Sequence, residues 1–274
     1  MPFGENGFLG KEALRMAEQI KTTHREFLNL CYEINSFAQK LKNAFEIHNE
    51  DPQEFLAASF FIRVLENAQA TVILVERGLE LETSTILRSM FEALVYLKRC
   101  VNEVDFPQKY MQYGEINRLD NLKVILDCKL YEKYEKFGNE EGIKKMISEI
   151  EDRFLQQNIN IKEFKKNFSK KKNAEDAGML ELYNSFYSVT SDSAHTGLGA
   201  LQKHLKLNED GKIIEINHGP SDKDAGMHLT AIAEFLLHAS DYVCNFFKID
   251  KIQEIEKYHK QLKEINSRPG NSTG

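Results

Sequence analysis

Apolar residues recur every three or four positions along most of this chain, the spacing of one face of an α-helix. The densest run is 81–102, LETSTILRSMFEALVYLKRCVN, in which Ile86, Leu87, Met90, Phe91, Leu94, Val95 and Leu97 cover far more than a narrow stripe. A helix apolar over so much of its circumference is expected at the centre of a bundle. The same run carries Arg88 and Glu92, four residues apart and therefore on one face, where they can pair. Burying a guanidinium and a carboxylate is costly unless each is paired and hydrogen-bonded. Two readings are open: an internal structural clamp, or part of a site.

The same periodicity predicts one long helix from about residue 10 to 47, with Leu14, Ile20, Phe27, Ile34 and Leu41 on one face. Asp51-Pro52-Gln53-Glu54 is a helix start, because Asp can cap, Pro suits the first helical position and Glu favours the positive end. That second helix should stop at Gly78, and Thr83 or Ser84 should open the central one. Asp105-Phe106-Pro107 starts a fourth helix running to about Cys128, and a fifth spans about 139–157. IKEFKKNFSKKKN follows, a charge run of the kind usually found as a solvated loop. A helix resumes near Ala174, carries Tyr183, Phe186 and Tyr187, and runs into Ser191-Asp192-Ser193-Ala194-His195-Thr196-Gly197. LKLNEDGKIIEI reads instead as a β-hairpin turning at Asp210-Gly211. Ser221-Asp222-Lys223-Asp224 resembles a capping box before an apolar helix to about Phe247, and a charged helix starts near Lys251. The expected fold is all-α, a single helical domain over 10–266. It is a bundle of about seven helices with one small β-hairpin near 205–216, a loose arm at 1–9 and a disordered tail at 267–274.

Composition narrows the function classes. Five prolines and no tryptophan among 274 residues favour helix. A net charge of −6 argues against whole-surface affinity for nucleic acid, while leaving a local basic patch open. No membrane span is expected, since charge breaks every long apolar stretch within a few turns. MPFGENGFLGKEALR lacks the basic start and apolar core of a signal peptide, so a cytoplasmic protein is expected. Cys31, Cys100, Cys128 and Cys244 are far apart and form no CxxC, and they read as small buried hydrophobes in a reducing compartment.

Candidate chemistry is sparse. There is no GxGxxG, Walker loop or HExxH. His228 and His238 lack the Glu-x-x-His spacing of di-iron bundles, so neither a metal nor any cofactor is expected. His195 stands out because Ser191, Asp192, Ser193 and Thr196 surround it where the pattern elsewhere stays apolar. Imidazole can act as acid or base once oriented, and Asp192 lies one turn before it. The candidate catalytic set is therefore His195, Arg88, Glu92 and Asp192. Ser191, Tyr187 and Tyr183 are candidate binding residues, and Lys165, Lys166, Lys170, Lys171 and Lys172 form a candidate anion-facing patch. The apolar content of several helices exceeds what one small bundle must hide, which predicts a homodimer.

GLELETSTILRSMFEALVYL followed by AEDAGMLELYNSFYSVTSDSAHTG resembles a bacterial all-helical family, number 5677 in the domain-of-unknown-function series. Its members tend to show Leu-Arg-Ser-x-x-Glu and a later Tyr-rich helix ending in Ser-x-x-x-His. Here these correspond to Leu87, Arg88, Ser89 and Glu92, then Ser191 and His195, over roughly 55–245. The chain is also similar to HEPN helical bundles, which include metal-independent RNases of toxin–antitoxin and phage-defence systems, usually working across a dimer. Their signature Arg, four to six residues before the His, has no counterpart here. Ser188 stands where one could occur, and Arg88 would have to supply the cation. That resemblance implies RNA or a nucleotide as ligand, with His195 as base, Arg88 opposite the phosphate charge and Tyr187 as hydrogen-bond donor or stacking ring. The other expectation is a non-catalytic module that binds a protein encoded nearby, its Arg88, Glu92, Asp192, Ser191 and His195 forming a satisfied buried network.

Overall fold

A computed structural model describes residues 6–187, 201–202, 204–216 and 219–268. Helices α1 (Lys11–Thr23), α2 (Arg25–Lys42), α3 (Pro52–Glu76), α4 (Glu80–Asn102) and α5 (Phe106–Asp127) come first. They are followed by α6 (Glu140–Gln156), α7 (Ile161–Asn167) and α8 (Lys170–Asp176). A turn at Leu180–Leu182 widens into a π-helical turn at Tyr183–Tyr187. Strands β1 (Leu205–Leu207) and β2 (Ile213–Ile216) precede α9 (Ala225–Phe247) and α10 (Ile252–Asn266). The all-α class stands, although the helices among the described residues outnumber the seven expected.

The differences have local causes. The run expected as one helix over 10–47 breaks at His24, whose ψ of 24° leaves the helical region, and Leu14 faces solvent. Helix α4 opens at Glu80, because the Thr83 amide already donates to the Leu79 carbonyl at 2.9 Å, while Thr83 Oγ1 donates to the same carbonyl at 2.7 Å and Ser84 Oγ to that of Glu80 at 3.2 Å. Both hydroxyls bond back to carbonyls four residues earlier and cap nothing. The lysine run is two short helices, α7 and α8, capped by Asn160 and Ser169, and not a loop. The helix expected from Ala174 is interrupted at Gly178, where φ is +65°. No capping box forms at 221–224: Ser221 Oγ donates to Glu80 Oε2 at 2.7 Å, and α9 begins only at Ala225.

Other signals were direct. Asp51 Oδ1 accepts from the Gln53 and Glu54 amides at 2.8 and 3.1 Å, and Pro52 is the first residue of α3. Gly78 has φ of +69°, and a Cβ there would lie 2.6 Å from that of Pro220. The Ser221 amide donates to the Gly78 carbonyl at 3.0 Å, so the chain after the hairpin rests directly on the α3–α4 turn. The hairpin pairs Leu205 with Ile216 and Leu207 with Ile213, and Gly211 has φ of +74° in its turn.

Helices α3 and α4 share the largest interface, α9 lies across both, and α2 and α10 close the far side of α9. One large apolar cluster joins these helices, with Phe61, Phe91, Phe235, Leu94 and Leu97 fully buried. Helices α5 and α6 hold a second, smaller cluster of Ile116, Leu119, Leu122, Ile143, Ile150 and Phe154. Helix α3 is long and apolar enough to cross a membrane by length and composition alone, although Arg63 and Glu66 interrupt it. More than half of its apolar window lies in the core, as expected for a central helix. Cys31, Cys100 and Cys244 are buried, and burial pushes the Cys31 and Cys100 thiols up to about 12. Cys128, expected to be buried, is exposed at the end of α5.

Candidate functional site

Helix α4 carries two polar clusters along the side that meets α8. In the first, Arg88 Nε lies 4.0 Å from Glu92 Oε1, one turn away, and Arg88 is buried. The same Glu92 oxygen accepts from Lys170 Nζ at 2.5 Å, across from the first turn of α8. Glu92 is thus held between two cations on different helices. Tyr183 stands beside them, lining with Phe91, Glu92, Tyr96 and Lys170 a void of only about 10 Å³. That is room for about one water molecule and not for a nucleotide. Phe186 packs on Phe91 with ring centroids 5.9 Å apart, so the 180–187 segment lies against the Arg88–Glu92 stretch of α4.

The second cluster centres on Arg99, which the sequence reading did not single out. Its side chain is only 4% exposed. Nε and Nη2 donate to the two oxygens of Glu103 at 2.7 and 2.6 Å, and Nη1 donates to Asn173 Oδ1 at 2.5 Å. Asp176 lies 3.7 Å away on α8. The guanidinium sits over the rings of Phe106 and Phe168, 4.9 and 5.7 Å from their centroids. Asn173 Nδ2 donates in turn to the Phe168 and Ser169 carbonyls, so Asn173 ties Arg99 to the α7–α8 turn. Around this joint Phe60, Tyr96, Phe106, Tyr110 and Phe168 pack ring on ring, and burial raises the Tyr96 and Tyr110 hydroxyl pKa values. This geometry holds three helix ends together and offers no open face to a reactant.

The lysine patch is largely committed to carboxylates. Lys165 donates to both oxygens of Asp120 at 2.7 and 2.5 Å. Lys172 meets Asp176 at 2.8 Å and Glu175 at 3.2 Å, and those hydrogen bonds, Asp176 first, raise its pKa. Lys166 and Lys171 are exposed. Ser191, Asp192 and His195 lie outside the described residues, and of Tyr187 only the backbone is described, in the π-helical turn. Among the candidates, then, Arg88, Glu92, Lys170 and Tyr183 come together, while Lys165 and Lys172 pair elsewhere.

A cleft of about 490 Å³ lies at the other end of α4, lined by residues including Glu80, Glu82, His204, Pro220 and Asp222. None of the sequence-predicted site residues lines it, and Glu92 is about 18 Å further along the helix axis. Among the described residues no cluster of His, Cys, Asp and Glu could hold a metal ion. His228, considered above as a ligand, is buried with Nε2 3.1 Å from Ser84 Oγ. His238 on α9 meets His259 on α10 with the rings tilted and their centroids 5.7 Å apart.

Residues 54–213 match a family of unknown function, DUF5677. No curated protein and no solved structure matches the chain. The matched stretch runs from the first turn of α3 to β2 and so contains both polar clusters of α4. Because it covers more than half of the 274 residues, the chain belongs to the DUF5677 family.

Proposed function

We propose that this chain is a non-catalytic, cytoplasmic helical domain that acts by binding another protein. The observation that carries this reading is the occupation of Glu92 by Arg88 and Lys170 beside a void of about 10 Å³. A buried guanidinium paired with a carboxylate of its own helix, which among the described residues borders only that small void, suits a clamp better than a phosphate site. The pairing of Lys165 with Asp120, and of Lys172 with Asp176, supports the same view, since it cancels much of the one basic patch. The resemblance to HEPN bundles supports a partner from a toxin–antitoxin or phage-defence system. It also supplies the competing reading, a metal-independent ribonuclease using His195 and Arg88.

Incubating the purified chain with a mixed RNA pool, with and without EDTA, separates the two. The expected result is intact RNA in both cases. Arg88→Ala should lower stability by about 1–3 kcal/mol, because it removes a buried guanidinium and its pairing with the partly buried Glu92. EDTA-resistant cleavage that disappears in His195→Ala, with the melting temperature unchanged, would replace the binding module with the nuclease.

A further inference from the structure

Helix α3 packs against α1, α2, α4, α5 and α9, yet one side of it stays uncovered. Along that side Phe55, Ile62 and Ile73 are 61%, 41% and 60% exposed. They belong to a seam at 55, 59, 62, 66, 69 and 73, alternating steps of four and three, the repeat by which two helices stay in contact. Ser59, Glu66 and Gln69 fill its remaining positions, with the partly buried Gln69 at the α2 edge, where its Nε2 donates to Asn35 Oδ1 at 2.9 Å. Large apolar residues thus stand at both ends, and Arg63 and Glu66 stand at the middle, exposed and 3.7 Å apart.

We infer that this side of α3 binds a second copy of the chain, the two helices lying antiparallel about a two-fold axis near Val64. In that register Phe55 meets the partner's Ile73, Ser59 meets the partner's Gln69, and Ile62 meets the partner's Glu66. Arg63 comes beside the partner's Glu66 and Glu66 beside the partner's Arg63, which makes two charge pairs across the axis. A parallel arrangement would set Arg63 on the partner's Arg63 and Glu66 on the partner's Glu66, which repels. Insertion of the same side into a bilayer would bury both charges in hydrocarbon, which is costly. An isologous contact is what a self-complementary patch of this kind produces. On the α2 flank Tyr32, 48% exposed and bonded to Glu76, widens the face beside Ile73. This inference is independent of what the α4–α8 clusters do.

Sedimentation of the full chain at micromolar concentration is expected to give a dimer. Glu66→Arg should weaken it at least about tenfold by putting four arginines near the axis. Adding Arg63→Glu to that variant should restore the wild-type dimer, because the pairs re-form with signs exchanged. Ile73→Asp should give monomer at every micromolar concentration. Unchanged circular dichroism and melting at the lowest concentration would establish that the variants fold. A wild-type chain that sediments only as monomer would overturn the inference. So would a dimer insensitive to these substitutions, or a chain that binds lipid vesicles through α3 and remains monomeric in solution.

Discussion

Replacing Arg99 by Met keeps the length of the side chain in its aromatic bed while removing every donor. Asn173 Oδ1, buried, would then lack its partner, and Glu103 and Asp176 would face an apolar chain. The stranded Asn173 oxygen costs about 1–3 kcal/mol, while Glu103 and Asp176 keep Lys109 and Lys172, so Arg99→Met should lower the melting temperature by several degrees in a thermal scan. Arg88 and Glu92 were legible in the sequence because they interrupt an apolar run four residues apart. Arg99 was not, because a cation in the last turn of a helix is ordinary, and its partners Asn173 and Asp176 are more than seventy residues away. A second prediction concerns His238, whose pKa is lowered from 6.5, mainly by burial and then by His259, with Lys98 adding to the effect and Asp241 opposing it. Its folded pKa lies below its unfolded one, so its stabilising contribution is full above 6.5 and is lost as pH falls through that window. Glu234 works in the opposite sense: burial raises it from 4.5, and its contribution is lost as pH rises through the raised value. Melting curves below pH 6.5 should therefore fall less steeply for His238→Gln than for the wild type.

Among the elements, α5 and α6 differ from the rest in having a core of their own. The Ile150 and Phe154 side of α6 packs on Ile116 and Leu119 of α5, apart from the main cluster, with Phe164 of α7 touching both. Phe154→Ala should remove about 3–5 kcal/mol from so small a cluster. Hydrogen exchange should then show early loss of protection across α6 and the second half of α5, while α3, α4 and α9 keep theirs. Equal loss everywhere would mean that the α5–α6 pair and the bundle open together. The ends of these helices were readable where a side chain does the capping, as at Asp51 and Asn139. They were misread where chemistry is shared. Ser84 and Thr83 look like caps but bond to carbonyls, and Ser221 looks like a capping box but serves Glu80. The α1–α2 break at His24 has no Pro or Gly to announce it, and the apolar face runs on through it.

At the scale of the whole molecule, hydrophobic spacing was enough to give an all-α bundle, and Asp210-Gly211 was enough to give its hairpin. It could not tell a solvated lysine run from one whose members bridge to Asp120, Glu92 and Asp176, because Asp120 and Glu92 come from two other stretches of chain and Asp176 meets Lys172 only once α8 has formed. The candidate site was legible to the same extent: the pair on α4 came from its own spacing, and the clamp from α8 came only from folding. The chemistry expected of Ser191, Asp192 and His195 lies outside the described residues.

The helix that lies across α3 and α4 is α9, with Phe235 packed on Phe91 at 5.5 Å and Leu229, Leu236 and Val243 fully enclosed. It begins at Ala225, beyond the last residue of the family match. The matched stretch is therefore smaller than what packs together in this chain. It is a hydrophobic trough with its filler encoded downstream. Any relative that keeps only this stretch must bring its own helix to lie in the trough, from a flank of its chain or from another molecule.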